Sequence, residues 1–149
     1  MTTVEKNLPD LAATERLAAR VAALVRPGDA ILLAGPLGAG KTAFARALLR
    51  AATENPALEV PSPTFTLVQS YDTPRGRINH FDLWRLRGPE ALVELGWDEA
   101  REDIVLVEWP DRLGALCPAD ALIVTLSLAE GETRHARLTG WPDRLEQLR

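Results

Sequence analysis

A glycine-rich stretch carries the residues whose types and spacing point most directly to chemistry. Residues Gly35 to Thr42 read Gly-Pro-Leu-Gly-Ala-Gly-Lys-Thr and match the pattern G-x-x-x-x-G-K-[ST]. The glycines allow the backbone to curl so that successive N–H groups point inward at a polyphosphate. Lys41 can then reach the β- and γ-phosphates, and the Thr42 hydroxyl can bind Mg²⁺. The stretch therefore predicts a phosphate-binding loop, that is, a nucleotide site.

The segments on either side of this loop provide the strand and the helix that such a loop should join. Ala30–Ala34 is a short apolar run suited to a buried parallel strand, and Thr42–Arg50 is rich in helix formers with neither Gly nor Pro. A helix that begins at the loop adds its dipole to the phosphate site. The residues predicted to contact the nucleotide are those of the loop: Gly35, Leu37, Gly38, Ala39, Gly40, Lys41 and Thr42.

Two acidic residues are candidates to complete a magnesium site. Glu108 directly follows the apolar run Ile104–Val107, which is the Walker B pattern with Glu in place of Asp. P-loop enzymes hold Mg²⁺ with the loop hydroxyl and such a carboxylate, so we predict Thr42 and Glu108 as metal ligands. Asp82, near the end of another predicted strand, has three alternative roles. It could orient the attacking water, lie in the metal's outer shell, or cap a turn.

A short segment rich in hydroxyl groups precedes the strand region that contains Asp82. Ser62-Pro63-Thr64 follows Val60-Pro61, and the two prolines hold this stretch extended. Switch proteins use segments of this kind to sense the γ-phosphate of a nucleotide. Ser62-Pro63-Thr64 is therefore a candidate switch-like segment.

Length and composition describe one globular domain that spans residues 1–149. Hydrophobic residues make up 46% and charged residues 26% of the chain, no apolar run approaches the length of a membrane span, and Met1–Leu8 lacks the apolar core of a signal peptide. Cys117, the single cysteine, excludes an internal disulfide, and we expect it to be buried. We expect a cytoplasmic protein without a membrane partner. The net charge of −4 argues against a protein that coats nucleic acid.

The order of predicted elements indicates an α/β fold: a single-domain P-loop NTPase with a mixed, mostly parallel sheet and helices on both faces. A first helix can start at Asp10 or Thr14. The expected antiparallel hairpin spans residues 64–84. The remaining predictions are the hairpin strands Thr64–Tyr71 and Arg77–Trp84, a helix at Glu90–Leu95, a third apolar strand at Ala121–Leu128, a strand at Ala136–Thr139 that pairs back, and a terminal helix at Pro142–Arg149.

Taken together, these motifs resemble the TsaE family, bacterial P-loop ATPases that serve the biosynthesis of threonylcarbamoyladenosine (t6A) in tRNA. The resemblance covers most of the chain, from about Leu8 to Leu128. The phosphate loop alone is generic, whereas the other matching stretches are more diagnostic. They are Ser62-Pro63-Thr64-Phe65-Thr66-Leu67-Val68, His80-Phe81-Asp82-Leu83-Trp84-Arg85-Leu86 and Val107-Glu108-Trp109-Pro110.

The resemblance implies ATP as ligand, Thr42 and Glu108 as Mg²⁺ ligands, and Asp82 as an essential acid. With Lys41, Asp82 is then a predicted catalytic residue. The resemblance also implies a complex with homologues of TsaB and TsaD, in which the modifying chemistry belongs to TsaD and tRNA is met through the complex. We expect the isolated chain to hydrolyse ATP slowly and the partners to stimulate it.

Three positions depart from the usual family pattern. Pro36 stands in place of an Asp, Ala43 in place of a second Thr, and Trp84 in place of a Tyr. Pro36 removes its own N–H from the loop, but the predicted catalytic residues are all present. Two other functions stay open from the residues themselves: a small-molecule kinase, which would need an acceptor pocket and a lid, and a nucleotide-dependent binding module that hydrolyses little.

Overall fold

A computed structural model describes residues 3–149. Met1 and Thr2 lie outside the described residues; they belong to the segment Met1–Leu8, in which the sequence predicts no signal peptide. Strands and helices alternate along most of the described chain. Their bounds are β1 Thr3–Leu8, α1 Leu11–Ala22, β2 Ala30–Ala34, α2 Lys41–Ala52, β3 Val68–Thr73, β4 Gly76–Asp82, α3 Pro89–Glu94, α4 Trp97–Ala100, β5 Ile104–Glu108, β6 Leu122–Leu128 and β7 Arg134–Thr139. Two 3-10 helices, Pro110–Leu116 and Leu145–Leu148, complete the described elements.

The strands form one seven-stranded mixed sheet in the order β1-β7-β6-β2-β5-β4-β3. The four central strands β6, β2, β5 and β4 run parallel, whereas β3, β7 and β1 pair antiparallel with their neighbours. The predicted α/β fold with a mixed sheet is therefore confirmed. Because parallel strands end at the same edge, this order brings the carboxyl ends of β2, β5 and β4 together.

Alternate residues of the central strands enter two separate hydrophobic cores, one on each face of the sheet. Ile31 and Leu33 of β2 belong to the core that contains α1 and α2. Leu32 belongs to the core of the opposite face, which contains residues of α3, α4 and the first 3-10 helix. Strands that are buried on both faces read as continuous apolar runs, which explains why β2 and β5 were recognisable in the sequence. Helices on both faces are confirmed.

The first helix begins where the sequence places its cap. The Asp10 carboxylate accepts a hydrogen bond from the backbone N–H of Ala13 at 2.9 Å, so Asp10 and not Thr14 starts α1. Leu17 and Val21, four residues apart, are buried against the sheet. No helix among the described residues has the length and apolar character that crossing a membrane requires.

The hairpin is present but shorter than predicted. The sequence predicted strands at Thr64–Tyr71 and Arg77–Trp84, whereas β3 starts only at Val68 and β4 ends at Asp82. The residues before Val68 form a turn in which the Leu67 N–H donates to the Pro63 carbonyl at 2.6 Å. Their β propensity is overridden because the preceding prolines interrupt any ladder and the Phe65 side chain, 84% exposed, has no sheet neighbour to pack against.

Two further expectations need correction, and one strand was not predicted at all. β1 was not predicted as a strand, because its extended form depends on pairing with β7, which lies far along the chain. The predicted terminal helix Pro142–Arg149 is reduced to the 3-10 helix Leu145–Leu148, since a segment this short takes the conformation that seats Leu145 and Leu148 in the core. Cys117 is exposed rather than buried.

Candidate functional site

The glycine-rich loop leaves the carboxyl end of β2 and leads into α2 at the centre of the sheet edge. Gly35 has φ +136°, and a Cβ placed on it would collide with the backbone oxygen of Leu126 on β6. Gly40, directly before α2, has φ +105°. Gly35 is required by both its φ value and its close packing, and Gly40 by its φ value, so the loop's path is a consequence of its sequence. The N-terminus of α2 then opens toward the loop, as a phosphate site requires.

Lys41 lies within the loop's curl and is only 5% exposed. Its ammonium group donates to the carbonyl oxygens of Gly35 at 2.6 Å and Pro36 at 2.9 Å, and it lies 4.0 Å from the centre of the Trp109 ring. Burial lowers the pKa of Lys41 below its ordinary value, and the negative charges of Glu108 and Asp82 partly oppose that change. The neighbours that accept hydrogen bonds from Lys41 are thus neutral loop carbonyls.

The structure brings Thr42 and Glu108 into direct contact, although 66 residues separate them in sequence. The Thr42 hydroxyl donates to Glu108 Oε1 at 2.9 Å. On its other side, Glu108 Oε2 lies 2.7 Å from Nε2 of His80, which is fully buried on β4. Glu108 itself is 2% exposed. The two residues predicted as metal ligands therefore meet at the loop, and their role toward a metal stays a prediction.

Asp82 pairs in register with Glu108 across β4 and β5, so the two carboxylates share one edge of the sheet. Asp82 Oδ2 accepts hydrogen bonds from the hydroxyls of Thr64 at 3.1 Å and Ser62 at 3.4 Å. The backbone N–H of Trp84 donates to the other oxygen at 3.1 Å. The contacts with Ser62 and Thr64 connect the predicted switch-like segment to Asp82. A role in capping a turn would require only the contact with the Trp84 N–H.

One open cavity of about 360 Å³ lies between the loop and this acidic edge. Two tryptophans form part of its wall, with ring centres 4.4 Å apart. Sequence reasoning gave neither of them a role, although the Glu-Trp-Pro motif was a signal for Trp109. The residues around the cavity are Leu37, Gly38, Gly40, Lys41, Thr42, Ala43, Ser62, Thr64, Asp82, Trp84, Glu108 and Trp109.

A second cavity, about 260 Å³ in volume, adjoins the first at Gly40 and Ala43. Its other lining residues come from the start of α1, from the β6–β7 connection and from the first residue of β7, so no contiguous sequence signal identifies it. These residues are Asp10, Leu11, Thr14, Glu132 and Arg134. The two cavities therefore lie on either side of Gly40 and Ala43, at the end of the loop and the first turn of α2.

The donor set beside the loop fits Mg²⁺ in chemistry. Mg²⁺ prefers oxygen ligands and is usually bound by one or two carboxylates together with substrate phosphates. Thr42 and Glu108 offer a hydroxyl and a carboxylate in direct contact, and Asp82 adds a carboxylate on the neighbouring strand. Within residues 3–149 no group of three acidic, histidine or cysteine side chains forms a self-sufficient metal cage. A metal ion held by these residues would need further oxygen ligands, such as substrate phosphates, to complete its coordination.

Comparison with known proteins adds a family and a structural neighbour. The sequence model of the family described as "Threonylcarbamoyl adenosine biosynthesis protein TsaE" matches residues 8–137. The chain is 38% identical over 128 residues to a protein of Rickettsia bellii named "tRNA threonylcarbamoyladenosine biosynthesis protein TsaE", which covers 85% of this chain and 88% of that protein. It is 31% identical over 137 residues to the protein of the same name from Bacillus subtilis, covering 91% and 84%.

The fold is also found in a solved structure. The crystal structure of YdiB from Bacillus subtilis superposes with a TM-score of 0.79 at 26% sequence identity, covering 99% of this chain and 91% of that one. The match includes the segments that carry the loop, the two carboxylates and the switch-like segment, since it extends over nearly the whole chain. The strands and helices that position the site are therefore shared with the YdiB structure.

Proposed function

This chain belongs to the TsaE family, and from that premise we propose that it is the ATP-binding and ATP-hydrolysing component of a tRNA t6A modification complex. A role in t6A biosynthesis follows from the names of its homologues. One observation supports the ATPase proposal above the others. Lys41, Thr42, Glu108 and Asp82 line the same cavity at the start of α2, with Thr42 hydrogen-bonded to Glu108.

In the proposed complex with ATP, the phosphates lie on the glycine-rich loop and against the N-terminus of α2. Lys41 donates to phosphate oxygens in place of the carbonyls of Gly35 and Pro36, a change that needs only rotation of its flexible side chain. Thr42 and Glu108 would hold Mg²⁺, which neutralises phosphate charge in phosphoryl transfer. Because Lys41 is nearly buried, its attraction to a phosphate is weakly screened by water.

The second cavity is the proposed place of the adenosine group. It continues from the loop past Gly40 and Ala43, so a nucleotide whose phosphates occupy the loop can extend into it. Leu11 supplies an apolar surface for a base, while the hydroxyl of Thr14 and the charged groups of Glu132 and Arg134 supply polar contacts.

Asp82 is proposed to orient the water that attacks the γ-phosphate. Its carboxylate lines the same cavity as Lys41, and hydroxyls of the switch-like segment hold it from one side. A segment bonded to the acid in this way can transmit the presence of a γ-phosphate to the protein surface. Hydrolysis would then release the segment together with the leaving phosphate.

The partners are proposed to be TsaB and TsaD homologues, with tRNA met through the complex. No arginine lines the main cavity within the described residues 3–149, so a charge-stabilising group of the arginine-finger type would have to come from elsewhere. Large apolar side chains are exposed around the cavity mouth: Leu37 is 79%, Phe65 84% and Trp84 45% exposed. Exposed apolar groups beside a site mark a surface that a second protein can cover.

Phosphate release by the chain alone, and by the chain mixed with TsaB and TsaD homologues, tests this proposal. We expect slow turnover alone and stimulation of about 10³-fold or more in the mixture, the effect of a supplied arginine. The mixture should also modify tRNA. Fast turnover without partners, together with phosphorylation of a small metabolite, would favour a kinase instead. Magnesium-dependent ATP binding without turnover in any mixture would favour a pure binding module.

A matched pair of surface variants separates the partner surface from the nucleotide site. Phe65→Ser should reduce stimulation by the partners and leave the basal rate unchanged, because Phe65 is exposed and does not line the cavity. Val93→Ser removes an apolar side chain of α3 that is 47% exposed and also outside the cavity, so it should change neither rate. Equal stimulation of both variants and the wild type would contradict a docking role for the loop around Phe65.

A further inference from the structure

His80 makes a buried contact that the proposed chemistry does not yet use. The side chain lies on β4, is fully buried, and places Nε2 2.7 Å from Glu108 Oε2. Its second ring nitrogen, Nδ1, has no hydrogen-bond partner within the described residues. A buried polar ring that makes a single short hydrogen bond needs an explanation, because leaving the other nitrogen unpaired costs stability.

His80 cannot act on a ligand directly. It does not line the cavity, whereas Asp82, two residues further along the same strand, does. In register, His80 pairs with Leu106 of β5, two residues before the strand ends where Asp82 pairs with Glu108. The imidazole therefore lies behind the carboxylate of Glu108 as seen from the cavity, and it can influence the site only through Glu108.

The contacts of Glu108 divide its two oxygens between different partners. Thr42 donates to Oε1, and His80 holds Oε2. Without the second contact, only the Thr42 hydroxyl would hold the Glu108 carboxylate, which could then rotate about the Cγ–Cδ bond. With both contacts, twisting the carboxylate plane breaks a hydrogen bond, so one oxygen, here Oε1, stays turned toward the loop. An outer hydrogen bond of this kind orients a ligating carboxylate and typically changes metal affinity or activity 10–100-fold when it is lost.

We infer that His80 is a positioning residue, whose Nε2–H hydrogen bond fixes Glu108 so that Oε1 faces Thr42, the residue that would hold the proposed magnesium ion with it. The inference rests on the proposed function, because it assigns Glu108 to the metal. One property of the wild-type chain, the position of the His80 proton, does not depend on a metal. Because an ionised carboxylate can only accept, this inference places the proton of the hydrogen bond on Nε2 of His80.

Nitrogen-15 NMR of the histidine rings of the ligand-free wild-type chain tests the proton assignment. His80→Gln serves to identify the signals, with the partly exposed His135 as the reference histidine. We expect a proton on Nε2 of His80 that exchanges slowly with water, because the group is fully buried. A ring with Nε2 unprotonated would overturn the inference, since it could not donate to Glu108.

Two variants of different length test the effect on the site. His80→Gln carries an amide N–H that can reach the position of Nε2, whereas the shorter His80→Asn cannot. The measured quantity is the gain in ADP affinity on adding Mg²⁺, determined by calorimetry. We expect His80→Asn to lose a factor of about 10–100 in this gain and His80→Gln to retain most of it. Affinity for ADP without Mg²⁺ should be the same in both, which a general loss of folding would not produce.

The outcomes separate this inference from the proposed function. A full Mg²⁺ gain in His80→Asn would overturn the positioning role alone and leave the assignment of Glu108 intact. Equal losses in the Gln and Asn variants would also overturn it, because the reach of the donor would then not matter. A wild-type chain whose ADP affinity does not respond to Mg²⁺ would overturn the metal assignment of Glu108, and this inference with it.

Discussion

Buried charges lie at both ends of strand β2, and the two groups are organised in opposite ways. At the amino end, Arg144 donates to both oxygens of Asp29, at 2.7 and 2.8 Å, and to the carbonyl of Leu24 at 2.7 Å. Its guanidinium lies 3.9 Å from the ring centre of Trp141. We call this group, Asp29, Trp141 and Arg144, the C-terminal clamp. Its charges neutralise each other through a bidentate pair, the strongest common geometry.

At the carboxyl end, the charges of the site contact neutral groups instead. Lys41 donates to backbone carbonyls, and Asp82 accepts from two hydroxyls and a backbone N–H. Within residues 3–149 neither residue takes part in a salt bridge. Buried charges that are bonded to each other are compensated within the fold, and removing one partner is costly, whereas charges held by neutral partners remain available to a charged ligand. We therefore expect substitutions in the C-terminal clamp to change stability and substitutions in the site to change nucleotide binding or turnover.

Lys41→Ala should have the largest effect, and only on binding. Loss of two charge-assisted hydrogen bonds to phosphate, at about 1.5–3 kcal/mol each, lowers ATP affinity by more than about 100-fold. Calorimetric titration with ATP measures this loss, and circular dichroism checks that the fold is kept. Lys6→Ala, which removes the other lysine of the chain, is the control and should bind ATP normally. Unchanged affinity in Lys41→Ala would refute the phosphate-loop assignment.

Arg144→Met should have the reverse effect, on stability and not on binding. Removing one partner of a buried pair leaves Asp29 uncompensated and costs about 3–5 kcal/mol of unfolding free energy. Thermal unfolding should show this as a melting temperature lower by roughly 6–20 °C. ATP affinity measured well below that temperature should not change.

Arg149→Met is the matched control, because Arg149 pairs with Glu146 on the surface at 2.8 Å. Exposed pairs contribute little, so its melting temperature should equal that of the wild type. If the Arg144 and Arg149 variants have the same melting temperature, the C-terminal clamp does not stabilise the fold. The proposed difference between the two ends of β2 would then be wrong at the amino end.

Asp82→Asn should have the smallest effect of the three and separate catalysis from binding within the site. The substitution keeps the shape and can still accept from Thr64, but it removes the charge. We expect turnover to fall by about 100-fold, near 2.7 kcal/mol of activation free energy, with less than a tenfold change in ATP affinity. Asp111→Asn, a neighbouring acid with 73% of its side chain exposed, should leave turnover unchanged.

A different result would reassign the residue. If ATP affinity of Asp82→Asn falls by more than about 100-fold, the carboxylate holds the metal or the nucleotide directly. Asp82 would then share with Glu108 the role predicted for a metal ligand, and the water would need another partner.

Contiguous residues determined much of the site in advance. The loop from Gly35 to Thr42, the strand before it and the helix after it are neighbours in sequence, so their chemistry is visible together. The same holds for Glu108 at the end of an apolar run. Strands buried on both faces appear in the sequence as apolar runs, and a helix start can appear as a capping residue such as Asp10. For this reason β2, β5 and α1 lie where they were predicted.

Propensity alone misjudged segments whose conformation depends on distant partners. The residues Thr64–Leu67 favour a strand by composition but form a turn, because prolines precede them and Asp82 holds the hydroxyl of Thr64. β1 is a strand only because β7 pairs with it, and that pairing joins the two ends of the chain.

The sequence by itself determined which groups could bind phosphate and metal, since the loop, its lysine and its hydroxyl are adjacent residues. Only the tertiary structure decided how these groups are held. Thr42, His80 and Glu108 come from three separate elements and meet because β4, β5 and β2 are parallel neighbours that end at one edge. The same holds for Arg144 and Asp29, 115 residues apart. Hydrogen-bond partners at such separations are set by strand order and packing, which no local pattern encodes.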